Sequence, residues 1–128
     1  MGVKVFGTTY TKNQKVSGYI KEYRDSIKDT KHRQCVHFDT PIGWLNDPKG
    51  LIYFKGYYHL FYQFNPYAPK CGSMHWGHAR SKDLIEWEHM DVALAPSEFY
   101  DDDNAEGSSP VHQSLKMICS MFFILEQF

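Results

Sequence analysis

The amino-acid sequence predicts an all-β fold of short antiparallel strands. Between His37 and about Tyr100, short runs of aromatic and β-branched residues alternate with polar or glycine-containing stretches, as in small sheets. Aromatic residues make up 16% of the chain, with 9 Tyr, 9 Phe and 3 Trp. Side chains of this kind suit pleated sheets and also surfaces that stack against sugar rings. Composition therefore favours a packed β domain over a disordered chain.

A tight hairpin is the first element. The apolar runs 51–54 and 57–63 are separated by Lys55 and Gly56, the two-residue spacing of a hairpin turn. Because strand side chains alternate between faces, the second run divides into two largely apolar sets, and both faces should be covered. One set comprises Tyr57, His59, Phe61 and Gln63, and the other comprises Tyr58, Leu60 and Tyr62.

Two more strands are predicted after a loop over 65–72. The third strand is predicted from Met74 to Arg80 and the fourth from Trp87 to Leu94, with a turn at 81–83 between them. Four short antiparallel strands in sequence form a unit the size of one propeller blade, or part of a sandwich. The strand pattern does not choose between these architectures.

The flanking segments are less regular. Residues 1–36 carry many charges and no sustained hydrophobic period, which predicts a poorly ordered lead-in with a short helix around Tyr19 to Lys28. The strand pattern ends near residue 100, where an acidic turn at 101–104 begins. Residues 108–128 form a divergent tail whose apolar run, 117–125, is about half the length of a membrane span. This run is interpreted as a buried strand or as sequence outside the fold.

Charge and cysteine content exclude several functional classes. The net charge of -1 gives no reason to expect a nucleic acid or membrane partner. The three cysteines, Cys35, Cys71 and Cys119, are too few and too irregularly spaced for a disulfide framework or a zinc site, so free thiols are expected. The first residues lack the apolar run of a secretory signal, which predicts a cytoplasmic location unless an upstream segment is missing. The oligomeric state is left open.

The segment 44–50, Trp-Leu-Asn-Asp-Pro-Lys-Gly, carries the main chemical signal. A residue that precedes proline is biased toward extended backbone, so Asn46 and Asp47 should project from a strand start or a tight loop. The structural alternative is a simple turn, because Asn-Asp-Pro-x-Gly is turn chemistry in its own right. The sequence that follows decides between these interpretations.

Three ordered blocks, at 37–50, 57–66 and 75–87, resemble glycoside hydrolase family 32, the invertases and fructanases. The resemblance implies a five-bladed β-propeller, of which this chain would hold the first one to two blades. It also implies retaining hydrolysis of β-fructofuranosyl bonds in sucrose or fructans, with a small carbohydrate as partner. No cofactor and no metal ion are implied.

The site residues follow from the same resemblance, position by position. Asp47 would be the nucleophile, Trp44, Leu45, Asn46 and Gln63 would lie in the fructose subsite, and Trp76 would help to wall the pocket. A retaining glycosidase needs an ionised carboxylate for attack and a second, protonated carboxyl group roughly 5 Å away. Asn46 and Gln63 can bind hydroxyls without neutralising the nucleophile. Their structural alternatives are an Asn that caps its own turn and an exposed strand-end Gln.

Other candidates carry less weight. His75 and His78 could be metal ligands, but a pair without a third ligand is a weak signal. The carboxylates that flank Trp87, namely Glu86, Glu88 and Asp91, are interpreted as solvated charges.

The sequence departs from the family pattern in three places. Lys49 stands where the family usually has Asn, and Cys71 stands where it usually has a pocket Trp. Lys49 would favour an ionised Asp47 if it pointed inward. The later blocks, an Arg-Asp-Pro with the transition-state Asp and a Glu-Cys with the acid/base Glu, have no counterpart after Gly107.

We therefore expect a fructosyl hydrolase by family, with this 128-residue chain inactive by itself. The first alternative is a non-catalytic isoform or relic with at most weak sugar binding. The second is a related five-bladed glycosidase acting on arabinosides or xylosides.

Overall fold

The computed structural model describes residues 4–27, 37–96 and 125–126. This part of the chain contains a long helix followed by a four-stranded antiparallel sheet whose spatial order is the order of the sequence. The elements are α1 (Lys4–Ser26), β1 (Trp44–Phe54), β2 (Tyr57–Asn65), β3 (His75–Ser81) and β4 (Glu88–His89).

The predicted hairpin is confirmed between β1 and β2. Lys55 has φ of 46° and Gly56 has φ of 87°, so both turn residues adopt left-handed backbone. Positive φ at both central residues is the mark of a type I′ turn, whose twist matches that of the two strands. Phe54 consequently pairs with Tyr57, directly across the turn.

β1 starts earlier than the predicted apolar run and is irregular in its first half. Its pairing with β2 shifts between Leu45 and Pro48, and again between Pro48 and Gly50. Extra residues of this kind form bulges, where a proline is tolerated because the ladder no longer needs its N–H. Asn46 and Asp47 therefore lie in a bulged strand rather than in a separate turn.

The predicted fourth strand is only partly correct. β4 consists of Glu88 and His89, whereas the prediction ran from Trp87 to Leu94. More residues lie between His89 and Leu94 than between their partners on β3, so the ladder breaks after β4. It resumes as a single antiparallel bridge between Trp76 and Leu94.

The first residues differ most from expectation. Instead of a short helix at Tyr19 to Lys28, a helix of 23 residues extends from Lys4 to Ser26. Its contacts with the sheet and with the segment 92–95 include positions 13, 16, 17 and 20, which share one helix face because they recur every three or four residues. Only Val16 and Ile20 in this set are apolar, so the sequence of the helix shows no clear hydrophobic period. No helix among the described residues is long and apolar enough to span a membrane.

The two faces of β2 are both covered, as predicted. The face toward α1 forms the helix-side core, in which Tyr62 lies directly over Gly77 of β3. The opposite face carries the site-side cluster of Phe61, Trp76 and Ala93, with Leu94 packed against it. The buried members of the helix-side core are Val16, Leu60, Tyr62, Phe64, Ala79, Val92 and Ala95.

Candidate active site

The carboxylate of Asp47 lies at the surface, on the bulged part of β1. Its side chain is 64% exposed, and its Oδ2 is 3.5 Å from Nζ of Lys49, whose side chain is 46% exposed. Lys49 therefore lies beside Asp47, but both charged groups are in contact with water. Such an exposed ion pair contributes little to stability and leaves the carboxylate accessible.

Asn46 and Gln63 are joined by a hydrogen bond. Nδ2 of Asn46 donates to Oε1 of Gln63 at 3.1 Å, across the gap between β1 and β2. Gln63 is only 5% exposed, so the alternative of an exposed strand-end Gln is wrong. The bond fixes the orientation of two amides beside the residue that carries the carboxylate.

Trp76 lies next to this pair. It is the direct partner of Gln63 in the β2–β3 ladder, and paired residues in a sheet project toward the same face. Its side chain is 2% exposed, and its indole N–H has no hydrogen-bond partner among the described residues. The buried indole lies beside Gln63 on this face of the sheet and leaves little surface open for sugar stacking.

The remaining residues predicted for the site lie in different parts of the sheet and its loops. Trp44 is half-buried and pairs with Asn65 at the start of β1. Leu45 pairs with Phe64 and packs against the helix-side core, away from the Asn46–Gln63 pair. Cys71 is exposed, as a free thiol, in the loop between β2 and β3.

A buried pair of histidines, His59 and His78, lies on the same face of the sheet, and this pairing was not predicted from the sequence. Nδ1 of His59 is 2.9 Å from Nε2 of His78, and the His78 ring stacks on Phe61 at 4.5 Å with 6° between the planes. Burial lowers the pKa of His59, and burial together with the charge of Arg80 and the neighbouring His59 lowers the pKa of His78 to about 3. The alternation that places Gln63 on this face also places both histidines there, which is the signal that could have identified them.

The structure also shows where the weaker candidates from the sequence lie. His75 and His78 project to opposite faces of β3, since they are three positions apart, and no group of three or more potential metal ligands occurs within the described segments. Nε of Arg80 donates to Oε2 of Glu88 at 2.6 Å, and this bond lowers the pKa of the Glu88 carboxyl. Glu86 and Asp91 are exposed.

Comparison with known proteins covers the region that contains these blocks. The chain matches the model of the glycosyl hydrolases family 32 N-terminal domain over residues 37–123. It is 63% identical over 65 residues to a sucrose-6-phosphate hydrolase of Zymomonas mobilis, covering 50% of this chain and 13% of that protein. It is 53% identical over 73 residues to a levanase of Bacillus subtilis, covering 57% of this chain and 11% of that protein.

A solved structure agrees with the fold. A mutant of a GH32 beta-fructofuranosidase of Bombyx mori, in complex with sucrose, superposes with a TM-score of 0.62 at 44% identity, covering 67% of this chain and 18% of that one. The chain thus spans less than a fifth of the length of each of these relatives. The four-stranded sheet is a partial blade of the five-bladed β-propeller expected from the resemblance. The family match and the shared fold together establish that the chain belongs to glycoside hydrolase family 32.

Proposed function

We propose that this chain carries the nucleophile and part of the fructose subsite of a retaining hydrolase of terminal β-fructofuranosyl bonds. The observation that carries the proposal is the hydrogen bond between Asn46 and Gln63 beside the exposed carboxylate of Asp47. Membership of the family supports hydrolysis of a fructosyl bond as the reaction class. The whole protein's substrate is a small carbohydrate, sucrose or a fructo-oligosaccharide.

The relatives support this substrate class. The two bacterial relatives are named for action on sucrose-6-phosphate and on levan, and the Bombyx mori enzyme is in complex with sucrose. Each of these carbohydrates contains a terminal β-fructofuranosyl unit. A subsite that binds this fructosyl unit would suit all three carbohydrates, with the differences between the enzymes lying outside the subsite.

In the proposed reaction, the Asp47 carboxylate attacks the anomeric carbon of the fructosyl unit. The glycosidic C–O bond breaks, and the leaving oxygen takes a proton from a second carboxyl group. Water then attacks the covalent fructosyl-enzyme, so the configuration is retained. The bulge supports the first step because it turns Asp47 out of the ladder into solvent.

The neutral neighbours suit the binding step. The Asn46 and Gln63 amides can bond fructose hydroxyls without pairing ionically with Asp47, and their mutual bond orders them before substrate arrives. Trp44 is partly exposed and could stack on the sugar, whereas Trp76 supports Gln63. Leu45 would act only indirectly, through its packing beneath the strand.

The same proposal includes the prediction that the 128-residue chain does not hydrolyse sucrose by itself. The two carboxylates that the resemblance places in later blocks have no counterpart in this sequence. A natural fructoside cannot lose its leaving group readily without a proton donor. Weak sugar binding without turnover is then the expected behaviour.

An activated donor separates loss of the acid from loss of the nucleophile. Fluoride leaves without protonation, so β-fructofuranosyl fluoride should add one fructosyl unit to the purified chain, and peptide mapping should place it on Asp47. Sucrose should give neither an adduct nor free fructose. A fructosyl adduct that persists in Asp47→Asn would contradict the nucleophile assignment. Fructose release from sucrose that depends on Asp47 would contradict the expected inactivity.

A further inference from the structure

One face of α1 is bonded directly to the backbone of the segment 92–96. The side-chain amide of Asn13 makes two bonds: its Nδ2 donates to the carbonyl of Ala93 at 2.9 Å, and its Oδ1 accepts from the N–H of Ala95 at 2.8 Å. This pair of bonds imitates a neighbouring strand, because it satisfies both a donor and an acceptor of an extended segment. A single helical side chain therefore sets the position of this backbone.

Two neighbouring residues of the same helix strengthen the attachment. Oγ of Ser17 accepts from the N–H of Val92 at 2.9 Å, and Nζ of Lys12 donates to the carbonyl of Pro96 at 3.3 Å. Val16, between them on the helix, is buried in the helix-side core together with Val92 and Ala95. The attachment thus combines hydrogen bonds with buried apolar contact.

The other edge of this segment holds Trp76. The N–H of Trp76 donates to the carbonyl of Leu94 at 2.8 Å, and the N–H of Ala93 donates to the carbonyl of Trp76 at 2.8 Å. The side chains of Ala93 and Trp76 also share the site-side cluster. A displacement of Ala93 therefore disturbs its hydrogen bond and its packing with Trp76.

From these contacts we infer that α1 is a positioning element of the sugar site. Asn13 and Ser17 hold segment 92–95, the segment holds Trp76, and Trp76 supports Gln63 in the ladder. Asn13 and Ser17 are positioning residues, since neither lies among the groups proposed to touch sugar. The relevance to fructose rests on the proposed function, whereas the coupling between α1 and Trp76 does not.

The coupling is tested by NMR on the full chain carrying Asn13→Ala. The indole resonance of Trp76, identified by its loss in Trp76→Phe, should shift. Exchange of the Trp76 amide should accelerate by at least about fivefold, the effect of losing one to two hydrogen bonds. Gln14→Ala is the matched control, because Gln14 is the exposed next residue of the same helix. Ser17→Ala should give a smaller change of the same kind and serves if Asn13→Ala does not fold.

A purely structural role predicts a different pattern. Exchange would then accelerate equally at Trp76 and at distant amides of the β1–β2 hairpin, such as Tyr53 and Tyr58. That result, or an unchanged Trp76 in Asn13→Ala, would overturn the inference. Asn13→Gln keeps both functional groups and should restore part of the Trp76 protection.

A sucrose titration separates this inference from the proposed function. In the wild-type chain, sucrose should shift the side-chain amide resonances of Gln63, and the shift should shrink in Asn13→Ala but not in Gln14→Ala. If sucrose moves Gln63 equally in all three proteins, α1 does not position the site, although the site binds sugar. If Trp76 responds to Asn13→Ala and no protein responds to sucrose, the coupling holds and the proposed function fails.

Discussion

At the scale of single residues, two glycines mark where the fold allows no side chain. A Cβ built on Gly77 would lie 2.3 Å from Cζ of Tyr62, and a Cβ on Gly43 would lie 1.9 Å from the backbone oxygen of Asn65. Gly43 also has φ of 77°. Gly77 lies against the Tyr62 ring in the helix-side core, and Gly43 lies against the backbone of Asn65. At both positions the close packing excludes a side chain.

Gly77→Ala should destabilise the chain by about 1–3 kcal/mol, because the added methyl group forces the buried Tyr62 ring out of its place over β3. The free energy of unfolding in urea measures the loss. Gly18→Ala is the matched control, since nothing lies within 4 Å of a Cβ at that helical position. It should stabilise the chain by up to about 1 kcal/mol. Equal effects of the two variants would contradict this account.

Lys49→Asn should change stability by less than about 0.5 kcal/mol, because it removes only an exposed ion pair with Asp47. The substitution also restores the residue expected at this position from the resemblance. Urea unfolding at low and at moderate salt provides the measurement. A large loss of stability would mean that Lys49 has a buried role.

At the scale of elements, the β1–β2 hairpin and the β2–β3 pair carry the site. The hairpin turn uses Lys55 with φ of 46°, a conformation that Asn and Gly adopt more readily than Lys. The β2–β3 pair encloses the His59–His78 contact between buried rings. Both features lead to predictions about stability that do not depend on catalysis.

Lys55→Asn should stabilise the hairpin by a few tenths to about 1 kcal/mol, since Asn-Gly is the preferred pair in a type I′ turn. Gly56→Ala should do the opposite, because φ of 87° strains any residue with a Cβ. The urea midpoints of both variants test these signs. A stabilising Gly56→Ala would exclude the assigned turn.

The histidine pair predicts loss of stability in mild acid. The folded-state pKa values of His59 and His78 lie below the ordinary 6.5, so below that pH the unfolded chain binds more protons than the folded chain. The contribution of these neutral histidines to the free energy of unfolding is therefore fully present above about pH 6.5 and is lost as the pH falls toward 3. His75 contributes in the same direction. Between about pH 7 and pH 5 the free energy of unfolding should fall by about 1–3 kcal/mol.

His78→Gln should flatten this pH dependence, whereas His37→Gln should preserve it, because His37 is exposed. Urea unfolding at several pH values within the window measures the slope, and most carboxylates stay ionised there. A wild-type stability that does not change over this range would show that the buried pair accepts a proton without cost.

At the scale of the whole molecule, the described sheet is open at β1. This strand pairs with β2 on one side and with no described strand on the other. It exposes Leu51 at 58% and Tyr53 at 62%. An exposed strand edge with apolar side chains is a template for association between chains.

We therefore expect the 128-residue chain to self-associate, and Leu51→Lys to shift it toward monomer, because a charge on an edge strand opposes pairing. Sedimentation velocity over a range of concentrations measures the change. Tyr23→Lys is the control, since Tyr23 is 53% exposed but lies on the helix. A wild-type chain that remains monomeric throughout would contradict the expectation.

The sequence by itself determined the hairpin, the alternation of β2, and the family blocks around Asp47 and Gln63, because these depend on local turn chemistry and on residues close in the chain. Only the tertiary structure revealed the length of α1, whose sheet-facing side uses Asn13 and Ser17 in place of apolar residues. It also shortened β4 and turned Leu45 toward the helix-side core. These features have the same physical reason. Polar attachment to distant backbone, strand bulges and breaks in the ladder leave no periodic pattern in the sequence.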